Sequence, residues 1–417
     1  MNLLKTSILS FISVLVKMLA LLGINKIIAI YAGPTGYASF GQFQNLMQMF
    51  NLIGSGGINN GVIKLTAEHN GKSEIQYQVW KTAFILSLVC TLFTSIVIIS
   101  LRDFLSLYFF STNSFEIIFV ILSFSLFFLI LNNFLLSILN GNGEIKKYTL
   151  ANILGSILSV LFTLFLTFQY KLTGALIALC TYQSVSFIVT FILFIKTKYF
   201  SRKIFSAQFN PSHAKILLKF SLMTLVSAIC TPLTLILIRN IINHELSWAD
   251  AGYWEAAYRL SSVYTMIFSS ILVVYFLPKF SFLQSKKEII KEVKSGYILL
   301  TPFLIFSAVI LYSTKEIIIS ILFSNEFSSV SEILKYQIIG DFIKIYGVLL
   351  SYLLISKSMT FEYITSEILF SFSFLIFSFI LIKYMQLEGV TLAYLISYSI
   401  YLAINLFFIK KRISYKL

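Results

Sequence analysis

Six cations and three carboxylates stand inside apolar stretches long enough to cross a bilayer: Lys17, Lys26, Lys64, Arg239, Arg259 and Lys344, with Glu255, Asp341 and Glu367. A charge at mid-bilayer costs about 2.5–3.5 kcal/mol on insertion scales, so each needs a partner or a task. Spacing supplies some partners. Glu255 precedes Arg259 by four positions, and Asp341 precedes Lys344 by three, so each pair shares a helix face. Lys64 sits close to the end of its stretch and can extend to the interface. Lys17, Lys26 and Arg239 have no acid three or four residues away. Lys17 and Lys26 are half a turn out of phase on a straight helix and share a face only if the helix kinks, as Gly23 between them permits. Unpaired cations outnumber unpaired acids, which is the pattern of a membrane cavity for an anion. A phosphate would bind lysine and arginine strongly in a partly dehydrated site. Lys17, Lys26 and Arg239 are the first candidates for that contact, with Lys344, Lys64 and Arg259 behind them. Asp341, Glu255 and Glu367, with Lys357 at a helix end, are candidates for coupling or gating, because an intramembrane carboxyl is a natural proton carrier.

Other chemistries lack their residues. His69, His213 and His244 fall in separate connectors with no metal-ligand spacing. The three aspartates, Asp103, Asp250 and Asp341, form no cluster for a metal-dependent glycosyl transfer. Cys90, Cys180 and Cys230 lie in apolar runs and read as small core residues without a disulfide framework. The run GSGGINNG, Gly54 to Gly61, has neither a preceding strand nor a following Gly-Lys-Ser/Thr, so it reads as a kink or close helix contact, not a phosphate loop. Pro232 is a second expected bend. The connectors expected on the outer face run to about 17 residues at most, too short for an extracytoplasmic catalytic domain. No enzyme, no cofactor and no metal are expected.

The elements that hold these charges are helices. The chain has 417 residues, 58% hydrophobic and only 12% charged, where a soluble domain has about 25% charged. Long continuous apolar runs exclude a barrel. Twelve spans are predicted, at about 7–31, 37–66, 80–101, 115–139, 148–168, 173–195, 214–242, 251–277, 295–313, 331–356, 361–383 and 388–409. The first is too long for a signal peptide and reads as a retained helix. Alternate connectors are basic: 21 cations fall on one side and five on the other. The positive-inside rule then puts both termini in the cytoplasm and explains most of the net charge of +15 without nucleic acid. The polar connector Lys196–Ala214 falls at the midpoint. It divides the chain into a bundle of six helices over 1–200, a cytoplasmic linker over 201–213 and a second six-helix bundle over 214–417. A short echo supports this division: Gly36-Tyr37 and Gly252-Tyr253 open corresponding spans, and Lys64 and Lys279 close them. Two bundles in the same orientation make a parallel repeat, a transporter plan. The expected fold is all-α and integral to the membrane, twelve transmembrane helices in two bundles with a central cationic cavity.

Several stretches carry a family likeness: LVK at 15–17, Gly23 to Lys26, GPTGYASFGQFQNLM at 33–47, GGINNGVIK at 56–64 and KFSLMTLVSAICTPLTLILIRN at 219–240. SWADAGYWEA at 247–256, YFLPKFS at 275–281 and the run from Tyr336 to Lys357 complete the set. Together they make the chain resemble the O-antigen and lipid-linked oligosaccharide flippases of the polysaccharide transport family, among them the flippase for lipid III of enterobacterial common antigen. The resemblance implies a flippase for an undecaprenyl-pyrophosphate-linked oligosaccharide, working by alternating access in the bacterial inner membrane. Lys17, Lys26, Lys64, Arg239, Asp341, Lys344 and Lys357 sit in its matching motifs. It also implies partners, namely membrane lipids and the polysaccharide polymerase and chain-length machinery, and coupling to a proton or ion gradient. The chain is richer in Phe, Ile, Ser and Lys than the lipid III relative, which leaves the sugar unit open. A multidrug exporter of similar fold is the alternative; it would favour acidic cavities.

Overall fold

The computed structural model describes all residues except Met1, Asn2, Ser111, Arg202, Gln284, Ser358 and Leu417. It leaves aside the side chains of some others, chiefly 3–11, 222–228 and 412–416. The topology cations Lys5, Arg202, Lys219, Arg412 and Lys416 therefore lie outside the described side chains.

The chain is helical from end to end: α1 (Leu3–Ser55), α2 (Asn59–Glu68), α3 (Ser73–Ser100), α4 (Arg102–Phe110), α5 (Glu116–Gly141), α6 (Ile145–Ile195), α7 (Lys203–Ser206), α8 (Pro211–Glu245), α9 (Trp248–Ile271), α10 (Leu277–Phe282), α11 (Lys286–Ser313), α12 (Lys315–Leu322), α13 (Val330–Ser356) and α14 (Thr360–Lys416). A helix satisfies every backbone polar group within one segment, which hydrocarbon demands. Among the described residues, seven helices are long and apolar enough to cross a membrane. Three are broken inside, at Gly33 in α1, Lys171 in α6 and Gln386 in α14. Gly33 has φ 63° and is followed by Pro34, which lacks the N–H that a continuing helix would use. The α1–α2 junction falls in the glycine run, with Gly56 and Gly57 both at φ 64°. The run is therefore a helix break, as its composition suggested. Helix α8 continues through Pro232.

The two halves repeat element by element. Starts at Ser73, Arg102, Asn113, Glu116 and Ile145 recur at Lys286, Lys315, Asn325, Val330 and Thr360, each 212 to 215 residues on. The breaks in α6 and α14 are built alike. Lys171 and Gln386 both take φ 49°, and a glycine follows each after three positions. Gly174 and Gly389 pack directly on the carbonyls of Leu166 and Leu381, eight residues back in both cases, where a Cβ has no room. This is a far stronger internal repeat than the echo visible in the sequence.

The chain forms two compact units, Met1–Ala32 with Ser39–Pro232, and Gly33–Ala38 with Leu233–Leu417. The division falls within α8, not in the polar connector expected from the sequence. The reason lies in the first unit: Asn210 N–H donates to Thr82 Oγ1 at 3.0 Å, Leu217 joins the core around Val62, Trp80 and Phe134, and the Ser221 hydroxyl donates to the Gly56 carbonyl. In the second unit, Phe276, Phe280, Leu300, Ile345 and Leu349 form the core of α10, α11 and α13.

His213, just before the span expected to begin at 214, faces His69 at 5.9 Å between ring centroids. Burial, and secondly the charge of His69, hold His213 below the ordinary imidazole value. A depressed histidine favours the folded state while neutral. That advantage fades as pH falls through the unfolded value, about 6.5, toward the folded one. The thermal unfolding midpoint in detergent should therefore fall between pH 7 and 5, and His213→Gln should flatten that slope; an unchanged slope would place the pH sensitivity elsewhere.

Candidate functional site: buried charges of the second unit

Helix α9 starts at Ser247, whose hydroxyl accepts the Asp250 N–H at 3.1 Å and sets the register of the helix. That register points Glu255 and Arg259 inward together. Glu255 Oε1 accepts from Arg259 Nε at 2.5 Å, so the pair expected from the four-residue spacing forms. Glu255 Oε2 also accepts from Arg239 of α8, from Nε at 2.9 Å and from Nη2. Arg239 further donates to the Leu235 carbonyl at 3.3 Å. The reading of Arg239 as a cation without an acid is thereby corrected: its acid lies on the neighbouring helix, beyond the reach of an intrahelical spacing rule. Arg239 is 1% exposed and Glu255 2%. A phosphate has no path to Arg239 in this state.

Aromatic faces complete the enclosure. The Arg239 guanidinium lies 5.6 Å from the Trp254 ring centroid and that of Arg259 lies 5.3 Å from Tyr37. Tyr37 comes from Gly33–Ala38, the only part of α1 that belongs to this unit. Gly252 packs directly on the Pro34 carbonyl, where a side chain would not fit. Tyr37 and Tyr253, the two tyrosines of the sequence echo, both set their rings against Phe327, at 5.5 and 6.0 Å.

Asp341 forms a second centre. Its Oδ1 accepts from Ser261 at 2.5 Å and Tyr394 at 2.7 Å, and Oδ2 accepts from Tyr264. Gln337 donates to Ser261 at 3.2 Å. Hydroxyl donors thus hold the Asp341 carboxyl, and the charge of Lys344 acts on it as well. Lys344 points over the rings of Tyr398 and Tyr394, at 5.7 and 6.0 Å. Gly340 admits Tyr394, since a Cβ there would lie 2.5 Å from its ring. Glu367 accepts from Tyr401 at 2.7 Å. Lys357 donates to the Leu283 carbonyl, tying the end of α13 to the segment after α10.

In the first unit, Lys17 and Lys64 are exposed and Lys26 half-buried. Sequence reasoning missed the hydroxyls Ser261, Tyr264, Tyr394 and Tyr401. Their signal was present, since Tyr394, Tyr398 and Tyr401 follow a helical i, i+4, i+7 spacing in an otherwise apolar span.

Solved structures of membrane proteins share this fold. A multidrug transporter of the MATE family in an inward-facing conformation superposes with a TM-score of 0.79 over 95% of this chain and 94% of its own, at 15% identity. A lipid II flippase in an inward closed conformation superposes with a TM-score of 0.73 over 98% and 87%, at 19% identity. The chain belongs to the family described as polysaccharide biosynthesis protein, whose model matches residues 34–332. It is 25% identical over 407 residues to the lipid III flippases of Escherichia coli K12 and Shigella flexneri, covering 97% of this chain and 97% of each relative. It is a multi-pass membrane protein.

The triad makes a direct prediction. Glu255→Gln leaves two buried guanidiniums facing each other without a counter-charge and should cost about 3–5 kcal/mol of stability, read as a lowered unfolding midpoint in detergent. Adding Arg239→Met should recover part of that loss, because the two sites are coupled. Additive losses in the double variant would show that Arg239 and Glu255 act independently.

Proposed function

We propose that the protein is a flippase that moves an undecaprenyl-pyrophosphate-linked oligosaccharide from the cytoplasmic to the periplasmic leaflet of the bacterial inner membrane by alternating access. The observation that carries this reading is the similarity to lipid III flippases along 97% of both chains. A transporter and not an enzyme fits the buried, mutually satisfied charges. Twelve spans follow if α1 with α2, α6 and α14 each count as two. Helices α8 and α9 then make up the number, α9 being disguised in hydropathy by Asp250, Glu255 and Arg259. That even number puts both termini on one side of the membrane, and the basic connectors make that side the cytoplasm.

In this reading Lys17, Lys26, Lys64 and Lys344 meet the pyrophosphate and sugars. Arg239, Glu255 and Arg259 hold the second unit in a competent geometry. Asp341 and Glu367, held by hydroxyls, carry the coupling proton. The polysaccharide polymerase and chain-length machinery act downstream. The multidrug reading is favoured by fold alone, at 14–17% identity to the MATE structures.

The test is complementation. Expressed in a strain lacking its lipid-linked oligosaccharide flippases, the chain should restore surface polysaccharide on a gel. Lys17→Ala should abolish it at normal expression, and Arg239→Glu, which faces Glu255 with a second carboxylate, should abolish it together with a lowered unfolding midpoint. Drug resistance without restored polysaccharide would favour the exporter. Full activity in Arg239→Glu would remove that residue from the mechanism.

A further inference from the structure

The first unit contains a cavity of about 180 Å³ that the transport reading does not use. Its walls come from the start of α3 (Trp80, Phe84), the end of α5 (Leu131, Phe134), the end of α6 (Phe187, Phe194), and Phe200 and Ile204 beyond. Nearly every lining group is aromatic or aliphatic. The indole N–H of Trp80 is spent on Thr66 Oγ1 at 2.9 Å, so the ring offers the cavity only its apolar surface. Phe187 and Phe191 stack at 5.6 Å, and Phe128 tilts against Phe187 at 5.9 Å. Phe191 is 40% exposed and Phe128 43%, so this side opens onto the apolar exterior. An apolar cavity of about 150 Å³ already stays dry and takes a benzene-sized apolar ligand.

Depth and charge narrow the ligand. On α5 the lining runs from Leu131 to Ile138, seven residues or about 10 Å of helix, some two-thirds of the roughly 15 Å thickness of one leaflet. At its foot the cations are interleaved with the lining residues. Lys81 adjoins Trp80 and itself lines the cavity, Lys198 precedes Phe200 by two, and Lys203 adjoins Ile204. Lys147 donates to the Lys196 carbonyl at 2.9 Å and fixes the start of this segment. At this end Lys72, Lys81, Lys146, Lys147, Lys196, Lys198 and Lys203 outnumber Glu68, Glu74 and Glu144. The positive-inside rule assigns the end to the cytoplasm, and clustered lysines at a membrane surface attract anionic lipid headgroups.

We propose that this slot is a binding site for one acyl chain of an anionic phospholipid of the cytoplasmic leaflet, whose headgroup rests on Lys81 and Lys203. The site lies within one unit.

The test uses the full chain in nanodiscs of phosphatidylcholine with a trace of phosphatidylglycerol bearing a diazirine in its acyl chain, irradiated and mapped by mass spectrometry. Label should concentrate on 80–84, 131–138 and 187–204, exceeding that from the matching phosphatidylcholine probe. Ile138→Trp, which fills the slot, should remove at least nine-tenths of it while leaving label on other helices unchanged. Lys81→Gln with Lys203→Gln alters only the rim. It should lower phosphatidylglycerol label about fivefold or more and leave phosphatidylcholine label as it was. Label spread evenly over the lipid-facing helices, equal label from the two probes, or no response to the lysine pair would overturn the proposal.

Discussion

A glutamate sealed between two guanidiniums is the constraint on which the second unit depends. Removing these three charges from water costs several kcal/mol each, and only good geometry returns it. Glu255 achieves that by giving one oxygen to Arg259 on its own helix and the other to Arg239 on α8. The ion pair therefore fixes the rotation of α8 and α9 about their axes as well as their distance. The effect extends outward. Arg259 rests on Tyr37, and Gly252, three positions before Glu255, receives the Pro34 carbonyl. The break in the first long helix is thus joined to the charge triad of the second unit by one ring and one backbone contact.

Asp341 is satisfied by a different physical route. Three hydroxyls from α9 and α14 converge on it, and neutral donors stabilise a carboxylate less firmly than a guanidinium does. Protonation of Glu255 would uncover two arginines, and that of Asp341 one ammonium, Lys344. The two centres share a unit and a helix but are satisfied differently, one by guanidiniums and one chiefly by hydroxyls.

The long apolar spans, their broken pairs and the four-residue Glu255–Arg259 contact were legible in the sequence, because each follows from local periodicity. Arg239–Glu255 was not: it joins positions sixteen apart on different helices, and spacing rules reach only one turn. The Asp341 centre was half legible. The acid stood out as an intramembrane charge, but its tyrosines looked like ordinary apolar filling. The compact units part within α8 and not at the polar connector, because polarity marks a connector whereas compactness follows side-chain packing, and the first half of α8 packs with the first unit through Asn210, Leu217 and Ser221. The repeat was faint in sequence because helix lengths and the Lys171 and Gln386 turns recur while their side chains do not.

The distribution of cation types carries a last step. The arginines of the site are the sealed, polydentate groups, where a planar fork matches a carboxylate and charge is permanent. The lysines at 17 and 64 are exposed, and those at 26 and 344 keep part of their surface. An ammonium on a flexible stem is a point charge that can follow a moving phosphate and exchange partners without breaking a fork geometry. A guanidinium locked to a carboxylate suits a scaffold, and an ammonium on a flexible stem suits a partner that moves. Arg239 and Lys17, alike in the sequence as cations without a neighbouring acid, fall on opposite sides of that division.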